Sequence, residues 1–142
     1  MKSHKFEFLD HTADAKFRAY GRTVEEAFSH AAEALTSLMW DRDRVVDRAE
    51  CKVLVEGRDI KQLLVRFLEE IIYLLDAKGF LLRGADDVRI SGGEGGYRLT
   101  ARLRGDHALG SIPIFGEVKG ITYNDMLVER NERVMVQVVV DV

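Results

Sequence analysis

The stretch "DAKGFLLRGADDVRI" (residues 76–90) decides the fold, because the spacing of the apolar residues changes at Gly79. Before it, Ile60, Leu63, Leu64, Phe67, Leu68, Ile71, Leu74 and Leu75 recur three and four residues apart, which is the spacing of one broad helical face. Asp59 stands at the start of that run with Gln62 three residues later, so each side chain can bond a backbone N–H at the helix entrance. Gly79 supplies the residue that tolerates a left-handed backbone and so closes the helix. After Gly79 the period drops to two: "FLLRGADDVRI", "YRLTARLR", "VKGITYNDMLVERN" and "VMVQVVVDV" read as four strands separated by turns.

Working back toward the N-terminus, "CKVLVEG" (51–57) is a strand ending at Gly57. A second helix starts at Thr23, with Glu26 at the reciprocal capping position and Val24, Ala27, Phe28, Ala31, Leu35 and Leu38 as its apolar stripe. "KFEFL" (5–9) and "AKFRAY" (15–20) alternate as strands, the second with Ala15, Phe17 and Ala19 on one side and Lys16, Arg18 and Tyr20 on the other. Asp10 to Asp14 is the connection between them. The order β-β-α-β-α-β-β-β-β segregates helices from a run of strands. It predicts an α+β fold, a single domain over 1–142, with a mostly antiparallel sheet carrying two helices on one face. "VKGITYNDM" (118–126) shifts the alternation, with Ile121 and Tyr123 on one phase and Met126 and Val128 on the other, which predicts a bulge near Asn124 and Asp125.

Size and composition narrow the function. The chain has 142 residues, 46% hydrophobic and 32% charged, enough for an ordinary core without a disulfide or metal as a structural staple. No apolar run approaches the roughly 20 residues that span a bilayer, and "MKSHKFEF" lacks a signal peptide's apolar stretch, so a cytoplasmic protein is expected, with no membrane partner. The lone Cys51 can make no internal disulfide. A net charge of −3 does not draw nucleic acid to the whole molecule, so contact with RNA is expected to be indirect or local. "DRDRVVDR" (41–48) alternates sign and reads as a solvated connector that neutralises itself.

Several motifs resolve into turns and faces. "SGGEGG" (91–96) precedes a strand rather than a helix, so it is a hairpin turn and not a phosphate cradle. Arg98, Arg102 and Arg104 form an outward basic stripe, either charge that discourages sheet-to-sheet pairing or a patch facing RNA or a partner. The four histidines show no zinc-ligand spacing, and no nucleophile elbow is present.

What is left is a set of carboxylates. In the last strand Val134, Val136, Val138 and Val140 share one face, which puts Asp141 on the other, next to the terminal carboxylate of Val142. Two like charges that close need a compensator, either an arginine or lysine or a hard divalent cation. If the closing strand pairs beside the first hairpin, Asp14 arrives as a further oxygen donor. The plainer alternatives are a solvated chain-end acid and a turn aspartate bonded to its own backbone.

"HTADA" at the first turn, "VKGITYNDM" and the closing "VVVDV" together resemble the archease family, and the likeness in element order and length runs over essentially the whole chain. The resemblance implies an activator rather than an enzyme: a partner of the RtcB-type RNA ligase of tRNA splicing. It would promote guanylylation of that ligase from GTP, allow multiple turnovers and broaden its nucleotide specificity. It also implies that Asp14, Asp141 and Val142 hold a divalent metal ion, calcium first and magnesium or manganese as alternatives, and that Lys119 is needed for activation along with Asp14 and Asp141. One position departs from the family pattern: Asn124 stands where a histidine is usual. The rival readings are a stand-alone metal-dependent phosphoester or nucleotide hydrolase and a chaperone-like specificity factor for another RNA-processing enzyme, such as a tRNA methyltransferase.

Overall fold

The computed structural model describes residues 5–10 and 14–142. The chain runs β1 (Phe6–Leu9), β2 (Ala15–Gly21), α1 (Val24–Ser37), a 3-10 turn (Arg42–Arg44), β3 (Ala49–Gly57), α2 (Ile60–Lys78), β4 (Leu81–Gly93), β5 (Gly96–Asp106), β6 (Gly120–Arg130) and β7 (Val134–Asp141). The expected order and α+β class are present. The helix entrances are built as the spacing predicts: Thr23 Oγ1 accepts from Glu26 N and Asp59 Oδ1 from Gln62 N, while Glu26 and Gln62 reach back to the N–H groups of Arg22 and Arg58. Gly79 ends α2 at φ 62°, the left-handed conformation that favours glycine.

The strands form two antiparallel sheets, β1-β2-β7-β6 and β3-β5-β4, where alternation alone suggested one. Both helices touch both sheets: α1 packs on β2 and β7 of the first and β4 of the second, and α2 on β6 of the first and β3 and β5 of the second. The sequence of α1 permits this. Ala27, Ala31, Ala32 and Ala34 are all fully buried, so small side chains on several sides of the helix let strands approach it closely. Phe28 of α1 and Phe67 of α2 stack at 6.3 Å, and Phe17 and Val138 of the first sheet and Leu99 and Leu103 of the second close over the same core.

The connector 41–48 is mostly exposed, and three of its six charges, Arg42, Asp47 and Arg48, are matched by residues outside it. Arg42 pairs with the buried Glu33 and donates to Arg83 O, Asp47 pairs with Arg104 and Arg48 with Asp106. Trp40, just before it, is fully buried and donates its ring N–H to Leu82 O at 2.9 Å. These contacts fasten the connector to the second sheet.

Candidate functional site

Topology explains why acids from distant parts of the sequence share one end of the first sheet. β7 lies in the interior of that sheet, between β2 and β6, so the last strand is flanked by one of the first. The β2–β7 ladder runs from Gly21↔Val134 to Ala15↔Val140. Asp141 ends β7 one residue past that last pair, and Asp14 immediately precedes β2. Asp14 lies in a bend before β2, so it flanks the strand end that carries Asp141 without being part of the ladder. Asp141 continues the outward phase of β7, because Val140 faces the core, and Asp14 directly precedes Ala15, which packs against that core. Asp141 and Val142 are exposed and Asp14 is half-buried. Neither aspartate takes part in a side-chain hydrogen bond or ion pair among the described residues. His11 and Thr12 of the "HTADA" motif lie outside the described residues.

Lys119 reaches the same end from the other flank. β6 pairs Gly120 with Asp141, and Lys119 N donates to Asp141 O at 2.7 Å. The exposed side chain of Lys119 thus starts from a backbone bonded to that of Asp141.

The bulge predicted in β6 is present and large. Between the Thr122↔Val139 and Leu127↔Gln137 pairs, β6 advances five residues while β7 advances two. Asp125 takes up the excursion at φ 51°, a left-handed backbone that aspartate tolerates better than most residues. Asp125 O accepts from Gln137 Nε2 at 2.7 Å, Gln137 Oε1 accepts from Arg18 Nε at 2.8 Å, and the Asp125 carboxylate lies 3.6 Å from Lys16 Nζ. The bulge is therefore laid over the outer face of β7, which accounts for Gln137 and Val139 being buried there. Asn124 is exposed, and its backbone N–H donates to Thr122 Oγ1. Farther along this face Tyr20, buried beneath Arg133, donates to Glu7; burial first, then that bond, pushes its hydroxyl above the ordinary phenol range.

The donor set suits a hard cation. Two carboxylates supply up to four oxygens, and calcium takes six to eight, with carbonyls and water completing the shell. Among the described residues no three histidine, cysteine or acidic side chains group closely enough to hold a metal by themselves.

The basic stripe resolves differently. β5 is the central strand of the second sheet, so edge protection is not its purpose. Arg98 pairs with Glu56, Arg102 with Glu50, Asp86 and Asp87, and Arg104 with Asp86 at 2.6 Å and Asp47 at 3.1 Å. "SGGEGG" is the β4–β5 hairpin turn, with Gly92 and Gly96 at positive φ.

Comparison with known proteins agrees with this architecture. Residues 6–142 match the model of the archease protein family (MTH1598/TM1083). The chain belongs to the archease family. Proteins called archease from Methanosarcina barkeri, Pyrococcus furiosus and Thermococcus gammatolerans are 35%, 38% and 41% identical. The alignments cover 97%, 97% and 89% of this chain and 96%, 99% and 89% of those proteins. The solution structure of Methanobacterium thermoautotrophicum protein 1598 superposes with a TM-score of 0.81 at 30% identity, over 97% of this chain and 99% of that one. The archease fold is thus shared over nearly the full length. No helix among the described residues is long and apolar enough to cross a membrane. Sequence reasoning missed Lys16 and Gln137 as parts of the site. Their only signal was an outward lysine two residues from Asp14 and a glutamine in a strand otherwise rich in valine.

Proposed function

We propose that this archease-family protein activates an RtcB-type RNA ligase by promoting its GTP-dependent guanylylation, and is not itself the enzyme. The observation that supports this is the unmatched acid pair at the end of the β2–β7 ladder, with Lys119 bonded through its backbone to the same strand end. In this reading Asp14, Asp141 and the carboxylate of Val142 hold a divalent cation, calcium first, with magnesium or manganese as alternatives. Such an ion supplies charge neutralisation for phosphates in nucleotidyl transfer. The residues of this chain do the rest. Asp14, just before β2, and Asp141, at the end of β7, would present oxygens from the ends of two neighbouring strands. Lys119 offers a cation to a nucleotide phosphate or a ligase carboxylate, and the ordered β6 bulge forms one wall of the site.

The test is formation of the ligase–GMP adduct from labelled GTP, with and without this protein and across metal ions. Activation by wild type that is lost in Asp14→Ala, Asp141→Ala and Lys119→Ala is the expected result. Adduct formation at the same rate with wild type, variants or no added protein would overturn the activator reading. Turnover of a nucleotide by the purified protein alone would point to the hydrolase instead.

A further inference from the structure

The acid pair has a basic neighbour that the site must keep at a distance. On the outer face of the first sheet Lys16 is two residues from Asp14 along β2, and it pairs across the ladder with Val139, two residues from Asp141. Same-face positions two residues apart on a strand are about 7 Å apart, which the four-carbon stem of a lysine spans. Lys16 can therefore reach the two carboxylates from within its own sheet. The two acids would attract it there.

In the structure the ammonium goes elsewhere. It lies 3.6 Å from Asp125 Oδ2, and the Lys16 side chain is only 19% exposed. Asp125 is placed to receive it by three features of the fold. These are the extra residues of the β6 bulge, the left-handed backbone at Asp125, and the buried Gln137, which bonds both Asp125 O and Arg18. With the Asp125 side chain 64% exposed the pair adds only about 0–1 kcal/mol, and the bulge itself is anchored by Met126, which is buried in the core.

We propose that Lys16 is a built-in competitor for the cation at Asp14 and Asp141, and that Asp125, carried over the sheet by the β6 bulge, holds it away from them. The inference rests on the metal reading above and adds a control: cation affinity is set by where the Lys16 ammonium is held. A partner that displaces the bulge, or pairs with Asp125, would release Lys16 toward the acids and eject the ion.

Two substitutions separate charge from shape. Lys16→Met keeps the apolar stem. Asp125→Asn keeps a residue that accepts the left-handed backbone. Binding of calcium alone to the full chain is measured by calorimetry at low salt, where Coulomb effects over about 7 Å are least screened. Lys16→Met should tighten binding about threefold to tenfold, and Asp125→Asn should weaken it by a similar factor. In the Lys16→Met background, Asp125→Asn should change affinity less than about twofold, because the group it restrains is gone. An equal loss from Asp125→Asn in both backgrounds would mean that Asp125 acts only through its own charge, and would overturn the inference while leaving the metal site standing. Absence of calcium binding by wild type would overturn the metal reading, and the competitor with it.

Discussion

Both sheets turn a charged face away from the helices, and the two faces treat charge in opposite ways. On the second sheet each arginine of β5 finds carboxylates from its neighbours: Arg98 with Glu56, Arg102 with Glu50, Asp86 and Asp87, Arg104 with Asp86 and Asp47. At the end of the first sheet Asp14 and Asp141 sit one step past a ladder with no cation bonded to them among the described residues, and the nearest lysine of their own face is tied to Asp125. Density of charge therefore says little about function here. The stripe that stands out in the sequence is matched, and the pair that does not stand out is unmatched.

The largest way to break this contrast is at the acids. Asp14→Ala or Asp141→Ala should lower ligase guanylylation about tenfold or more. Stability should stay within about 0.5 kcal/mol, because both side chains lie off the core. A large loss of stability would mean that the carboxylates are structural and the contrast false. Next is the most buried matched pair. Glu33 is 7% exposed and held by Arg42, with Lys5 at 3.8 Å. Arg42→Met should cost about 2–3 kcal/mol in urea unfolding, since it strands most of a buried carboxylate, and should leave activation unchanged.

On the second sheet itself Arg104→Met should cost only about 1 kcal/mol, because Arg104 and Asp86 are each about one third exposed and solvent screens the pair. The guanidinium is charged throughout the neutral range and the Asp86 hydrogen bond raises its pKa further, so the loss should not depend on pH there. A measurable effect on activation would move the functional surface to this sheet. The smallest effect sharpens the first sheet. The Tyr20 hydroxyl is raised by burial and by Glu7, so the fold favours its neutral form. That contribution is complete below the unfolded phenol value of about 10 and is lost as pH rises through the folded one. Wild type should lose stability above pH ~10 more steeply than Tyr20→Phe; equal slopes would mean that the Glu7 bond contributes nothing.

Much of this was legible in the sequence where the determinants are local. Thr23 with Glu26, Asp59 with Gln62, and Gly79 each fix a helix end within four residues, and the change of phase between Tyr123 and Met126 announced the bulge. Alternation along β7 put Asp141 outward. Partners across long separations were not legible. Alternation reports which face is buried but not which strand lies alongside, so two sheets read as one. The stripe of α1 included Ala27 and Ala31 but not Ala32 and Ala34, which are buried because strands of both sheets pack on the helix. Arg42 and Glu33, Arg104 and Asp47, and Lys16 and Asp125 meet only because of the fold, and no spacing in the chain announces them.

The most direct test of the central claim, that the unmatched acids and not the charged stripe form the site, is a calcium titration of the full chain. It compares wild type, Asp141→Asn and Arg104→Met by calorimetry. One ion per chain is expected for wild type and Arg104→Met with equal affinity, and none for Asp141→Asn. Binding that survives Asp141→Asn, or that is lost in Arg104→Met, would contradict it.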